Sequence, residues 1–141
     1  ERSPVNSSVA CEVTARLRAP ARAPLRLLKG ETGQAAEGVL IGARRLVLTG
    51  GQMAFGFQEA DARLAFQRLA RSLEQFKASL SRVAYLSTFA LSRSIGEMAV
   101  ATAAGYLGGE GPPAGATVTC VALPALDASF AVEAVGVVEE P

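Results

Sequence analysis

The chain has 141 residues, half of them hydrophobic and 19% charged, which favours one folded domain with its own core over a disordered chain. Its formal net charge is +1 and it has no histidine, so a nucleic acid partner is not expected and triads or metal sites that need histidine are excluded. No apolar run is long enough to cross a bilayer. We therefore expect a soluble single domain without a nucleic acid, membrane, metal or cofactor partner.

The first thirty residues are predicted to form a strand and a proline-rich connector ahead of the main domain, which is assigned to residues 31–141. Residues 8–17 (SVACEVTARL) alternate well enough for a strand, and the RAPARAP segment that follows blocks both helix and central strand. Because the chain begins with Glu1 and not with Met, we expect a processed or trimmed product or a fragment, with the cytoplasm as its default location.

The next segments predict two strands separated by loops. Residues 29–37 are polar and punctuated by glycine, so they are predicted to form a surface loop that leads into a strand at 38–41. After a turn at 42–44, residues 45–49 (RLVLT) are a short apolar strand that ends in a glycine pair and Gln52. We expect this glycine turn to be tight.

Helical periodicity follows between Glu59 and Leu80. Apolar residues recur at steps of three and four, which places them on one helix face, and charged residues fall mostly opposite. The apolar set is Ala62, Phe66, Leu69, Leu73, Phe76 and Leu80. A helix that packs on a sheet is expected.

The rest of the chain predicts a strand, a helix and two more strands. Residues 83–90 favour a strand, and Ser94 with Glu97 forms a capping-box pattern ahead of a helix that Gly108 and Gly109 stop. Strands at 117–123 and 130–138 follow a loop of proline and glycine. This order of elements suits an open sheet with both helices on one face.

The two cysteines, Cys11 and Cys120, both lie in alternating apolar stretches. A thiol in such a stretch behaves as a small hydrophobic group, and two cysteines carry no framework pattern. Buried free thiols are therefore favoured over a disulfide.

Five segments, in order, resemble the reactive-intermediate deaminase family, also called the Rid, YjgF or endoribonuclease L-PSP-like family. LVLTGGQ resembles the family's VFTSGQ strand and turn, and the helix at 62–76 resembles its QxxxxLxN-type helix. STFALSRSIGEM resembles a strand followed by the DxxxF helix start, PPAGATVTCVALP resembles PARTTVxVxxLP, and FAVEAVGVV resembles VEIEAIA. The likeness covers residues 38–138.

The resemblance implies an α+β sandwich of the chorismate-mutase-like type, in which two helices pack on one face of a mixed β-sheet. It also implies a homotrimer with three ligand clefts at the subunit boundaries. Active members of the family hydrolyse reactive 2-imino or enamine acids to 2-keto acids and ammonia. An arginine suits the carboxylate of such a substrate because its planar guanidinium donates two parallel hydrogen bonds.

This sequence departs from the family at the positions that carry that chemistry. Gly115 matches the arginine of PARTT, Gly50 the serine of SGQ, and Thr117 the cysteine-like position two residues after the arginine. Ala131 matches the first glutamate of VEIEA, which holds the water in active members, while Glu133 matches the second. Standard imine deamination is therefore not expected, because little remains to orient an acid or a water.

Glu133 is the candidate catalytic residue, since a carboxylate in an apolar strand suits proton transfer; the alternative is a structural hydrogen-bond acceptor or a rim residue. The other candidate cleft residues are Gly50, Gly51, Gln52, Ala114, Gly115, Thr117, Cys120 and Ala131. The glycine pair either offers backbone N–H groups to a ligand or forms only a turn. Arg44, Arg45 and Arg93 either supply a substitute anion clamp from a neighbouring subunit or are solvated.

Three functional hypotheses follow. The first is a catalytically altered Rid-like protein that binds a small metabolite, such as an organic acid or an imine-like compound, or a protein partner at inter-subunit clefts. The second is an enzyme that acts on an imine, an enamine or a related small acid through Glu133, the amides of residues 50–52 and a local arginine. The third is a structural or interaction domain of a larger assembly.

Overall fold

A computed structural model describes residues 13–19, 21–29, 36–108 and 112–138. Within them the chain forms seven strands and two helices in an α+β arrangement. The strands are β1 Leu25–Leu28, β2 Gly38–Ile41, β3 Leu46–Leu48, β4 Gln52–Ala54, β5 Val83–Ala90, β6 Ala114–Thr119 and β7 Phe130–Val137; the helices are α1 Glu59–Glu74 and α2 Arg93–Ala104. A 3-10 turn at Leu80–Arg82 precedes β5.

The main sheet is mixed, as expected, with the strand order β3-β7-β5-β6. Strand β7 is antiparallel to β5 on one side and to β3 and β4, one after the other, on the opposite side. Strands β5 and β6 are parallel and are connected through α2. The hairpin of β1 and β2 forms a separate two-stranded sheet.

The two faces of the sheet differ because side chains alternate along each strand. On β7, Phe130, Val132 and Ala134 are buried in the core formed with the helices. The intervening residues Ala131, Glu133 and Val135 face the other way, and we call that side the open face. Register places Tyr85, Ser87 and Phe89 of β5 beside them. Both helices therefore cover one face of the sheet, as the sequence predicted.

Helix α1 begins where the Gln58 backbone N–H donates to Asp61 Oδ2 over 3.1 Å. Its apolar stripe is fully buried, and the Phe66 ring stacks on Tyr106 with 5.6 Å between centroids. The predicted extension to Leu80 is wrong. The helix ends at Glu74, and Lys77 adopts a left-handed φ of 58° that turns the chain away. Phe76, predicted to be on the buried face, is 58% exposed.

Helix α2 begins two residues earlier than the capping-box pattern indicated. Its N-cap is Ser92, whose Oγ accepts a hydrogen bond from the Ile95 N–H over 3.3 Å. Glu97 instead pairs with Arg93, with 2.8 Å between Oε1 and Nε. Ser94 contributes only a hydroxyl contact to Ser92. The helix also ends earlier than predicted, at Ala104.

We expect Ser92→Ala to lower the free energy of unfolding by about 1 kcal/mol, because one backbone donor of the first helical turn loses its acceptor. Urea unfolding with an unchanged m-value measures this loss. Ser94→Ala is the matched control and should change stability by less than half as much. A larger effect at Ser94 than at Ser92 would contradict the cap assignment.

Several element boundaries differ from the sequence prediction. The predicted strand at 8–17 is wrong for residues 13–17, which are exposed and not in a strand, and residues 8–12 lie outside the described part. Strands β1 and β4 were not predicted, and β6 begins three residues before its expected start at 117. Neither helix of the described chain is long and apolar enough to span a membrane.

Candidate functional site

The candidate site surrounds a break in the strand that flanks β7. Between β3 and β4 the ladder is interrupted at Gly50 and Gly51, and Thr49 compensates for the interruption. The Thr49 N–H donates to the Ala134 carbonyl over 3.0 Å, while the Ala134 N–H donates to Thr49 Oγ1 over 2.9 Å. The side chain thus replaces a backbone acceptor, and the glycine pair is left exposed beside the middle of β7.

Glu133 lies directly beneath this break on the open face. A Cβ atom placed on Gly51 would lie 3.3 Å from Glu133 Oε1 and 3.9 Å from the Ala131 Cβ, so the carboxylate packs against bare backbone. On the other side Glu133 is paired with Ser87 of β5. The residue is half-buried, and its carboxylate has no hydrogen-bond or ion-pair partner among the described residues.

This carboxylate, which has no partner among the described residues, sets the electrostatics of the open face. A half-buried charge without a partner is costly unless something else supplies hydrogen bonds or a positive charge. Ala131 and Ala116, which lie on the same face, have small side chains. The arrangement can accept a hydrogen bond from a ligand, whereas it repels a second carboxylate.

The residues of β6 do not all reach Glu133. Register pairs Ala114 with Tyr85 and Ala116 with Ser87, so both alanines lie on the open face. Thr117 lies on the opposite side, where its Cγ2 would be 2.9 Å from a Cβ placed on Gly96 of α2. By alternation Gly115 also lies on the helix side, and a Cβ placed there would collide with the Leu86 carbonyl oxygen.

Two further candidate residues lie away from the open face. Gln52 pairs with the buried Val132, which places it on the helix side, and its Nε2 donates to the Gly50 carbonyl over 3.3 Å. Cys120 is a free thiol just beyond β6; it is half-buried, and its Sγ lies 3.9 Å from the Val118 carbonyl oxygen. Cys11 lies outside the described residues.

None of the three arginines considered as substitute clamps lies at Glu133 within the described chain. Arg93 is bonded to Glu97 and is 89% exposed, and Arg44 and Arg45 are exposed ahead of β3.

The structure adds one residue that sequence reasoning missed: Ser87 places a hydroxyl-bearing side chain beside Glu133. Its only signal is cross-strand register, which becomes visible once β5 and β7 are paired. Within the described residues no group of three His, Cys, Asp and Glu side chains could hold a metal.

Solved structures supply the decisive comparison for this architecture. A Rid family protein of unknown function from Yersinia pestis matches with a TM-score of 0.65 and 21% identity, covering 82% of this chain and 100% of its own. A YjgF family member from Neisseria meningitidis matches with a TM-score of 0.62 and 15% identity over 83% and 97% of the two chains. The chain has the YjgF/Rid fold.

A third structure with the Rid fold, a YjgF/YER057c/UK114 family member from Mycobacterium tuberculosis, matches with a TM-score of 0.55 and 25% identity, covering 81% of this chain and 99% of its own. No family profile matches the sequence, and no curated protein does. The solved structures therefore show the fold of this chain and nothing finer.

Proposed function

We propose that the chain is a divergent Rid-like protein that binds a small metabolite at clefts between subunits and does not carry out standard 2-imino acid deamination. The observation that carries this proposal is the half-buried carboxylate of Glu133, which packs against Gly51 and has no partner among the described residues. A carboxylate in this position favours a ligand that presents N–H or O–H donors, such as an amine, an imine or an amide.

The chemistry at residue 115 supports the same proposal. The resemblance to the family aligns Gly115 with the arginine that grips the substrate carboxylate, but Gly115 lies on the helix side of the sheet, away from Glu133, and the Leu86 carbonyl leaves no room there for a side chain. An organic acid in the cleft would meet Glu133 without a compensating cation bonded to it among the described residues. The charge of the site therefore disfavours acids and favours neutral or cationic ligands.

The open face supports assembly into the homotrimer. Leu48 is 73% exposed at its edge, and Tyr85, Phe89 and Val135 are only half-buried. An apolar surface of this kind is typical of an interface between subunits. Because Glu133 lies on the same face, a second copy seated there would complete the walls of a cleft around the carboxylate.

A ligand screen with a charge-removing variant tests the proposal. In a thermal-shift screen we expect small amines, imines and amides, rather than carboxylates, to raise the melting temperature of the wild-type protein. Glu133→Gln should weaken binding of such a ligand about tenfold or more, since a hydrogen bond to a charged group contributes about 1.5–3 kcal/mol. Glu74→Gln, at the exposed end of α1, is the control and should bind like the wild type.

An ammonia assay on the same proteins separates binding from catalysis. Freshly generated 2-iminobutanoate should release ammonia no faster with the protein than in buffer. Release that depends on Glu133 would favour an enzyme with a rearranged site instead. Equal binding by the wild type and Glu133→Gln would contradict the proposed role of Glu133. A monomer in light scattering would contradict the proposed cleft between subunits.

A further inference from the structure

A cavity lies apart from Glu133, at the end of the sheet where β5 and β6 begin. Its volume is about 200 Å³, and its walls come from β1, the 3-10 turn before β5, the loop after α2 and the segment ahead of β6. Four leucines supply much of the apolar wall: Leu25, Leu27, Leu80 and Leu107. Arg82 carries the charge among the described lining residues, and we call this space the Arg82 cavity.

We propose that the Arg82 cavity binds a small monocarboxylate with an apolar tail. The cavity is partly open to solvent, so a small ligand can enter it and bury apolar surface against the leucines. The leucines offer a wall to a hydrocarbon tail. The guanidinium offers a planar pair of donors that matches a carboxylate, and its five N–H groups allow it to keep a contact with the protein at the same time.

The volume limits the size of the tail. An apolar cavity of about 150 Å³ accommodates benzene. The Arg82 cavity, at about 200 Å³, has room for a single ring with one carboxylate or for a short aliphatic acid.

The Arg82 cavity and the Glu133 site select opposite chemistry. Leu80, Val83 and Leu107 belong to the core beneath the helices, whereas Glu133 lies on the open face, and neither Glu133 nor Gly51 lines the cavity. One site offers a carboxylate and the other a guanidinium. The inference is therefore independent of the proposed function at Glu133.

Calorimetry with matched acids and alcohols tests the inference on the intact protein. Benzoate and hexanoate should bind at millimolar concentration or below, and benzyl alcohol and hexanol should bind at least about tenfold more weakly because they lack the charged partner for Arg82. Arg82→Met keeps much of the apolar stem and should reduce acid binding to the level of the alcohols. Arg71→Met, at an exposed position on α1, should have no effect.

A second variant changes Gly108, which lines the cavity in the loop after α2. Among the described residues a Cβ placed on Gly108 meets only the Ser81 Cβ, at 3.8 Å, so a side chain can begin there without a clash, and Gly108→Leu should occupy part of the cavity and weaken binding of both acids by at least about tenfold. If circular dichroism shows that Arg82→Met does not fold, Gly108→Leu tests on its own whether the acids bind in the Arg82 cavity.

Three results would overturn the inference: no acid binding at millimolar concentration, equal binding of acids and alcohols, or acid binding that neither cavity variant alters. Glu133→Gln should leave acid binding intact, so a failure of the Glu133 proposal and a failure of the Arg82 cavity give different results.

Discussion

Gly115→Arg is expected to lower the free energy of unfolding by about 2 kcal/mol or more and to leave imine deamination absent. A Cβ atom at this position collides with the Leu86 carbonyl oxygen, which is backbone and cannot rotate away. To admit any side chain, β6 must shift away from β5 along their parallel ladder. Restoring the family's arginine therefore disturbs the sheet before it can offer a guanidinium to a substrate.

Urea unfolding measures the loss of stability, and the ammonia assay measures activity. Thr119→Arg is the matched control because it adds the same side chain to an exposed position on the same strand; it should change stability by less than about 0.5 kcal/mol. If Gly115→Arg were as stable as the wild type, the close approach of β6 to Leu86 would be wrong. If Gly115→Arg also released ammonia from 2-iminobutanoate, the result would mean that the rest of the deaminase cleft is intact.

Phe66→Ala is expected to lower the free energy of unfolding by about 3–5 kcal/mol, enough to unfold a domain of marginal stability. The ring is fully buried at the centre of α1 and stacks on Tyr106 with an interplanar angle of 19°. Truncation leaves a cavity at the point where α1, α2 and the sheet meet, and the surrounding core closes it only partly.

Phe76→Ala is the control for Phe66→Ala, because sequence periodicity assigns both rings to the same helix face. Phe76 is 58% exposed beyond the end of α1, so its removal should cost less than about 1 kcal/mol. Comparable losses for the two variants, measured by chemical unfolding, would mean that α1 continues to Leu80, as its periodicity indicates.

The sequence predicted the parts of the fold in which local pattern and tertiary packing agree. Val83–Ala90 has the expected bounds because aromatic and β-branched residues coincide with a central strand. The end of α1 was mispredicted because Lys77 provides the left-handed turn that glycine normally signals. Strand β4 was missed because it follows the glycine pair at once and has only three residues.

The candidate site was predicted less well, because it depends on register rather than on local pattern. Sequence reasoning grouped Gly115 and Thr117 with Glu133, but the pairing of β6 with β5 turns those two positions toward the helices. It could not identify Ser87 as the neighbour of Glu133, since nothing in VAYLSTFA indicates which residue of β7 lies opposite. The contact of Gly51 with Glu133 similarly requires both strands to be in place.

Strand β7, the last of the seven in chain order, lies in the interior of the sheet, and this has a consequence for biosynthesis. Leu46 pairs with Val137 and Gln52 with Val132, so β3 and β4 have no strand to join until residues 130–137 have left the ribosome. Such distant pairings slow folding and keep apolar segments exposed in the nascent chain. Chaperone binding during synthesis should therefore concentrate on the segments that await β7.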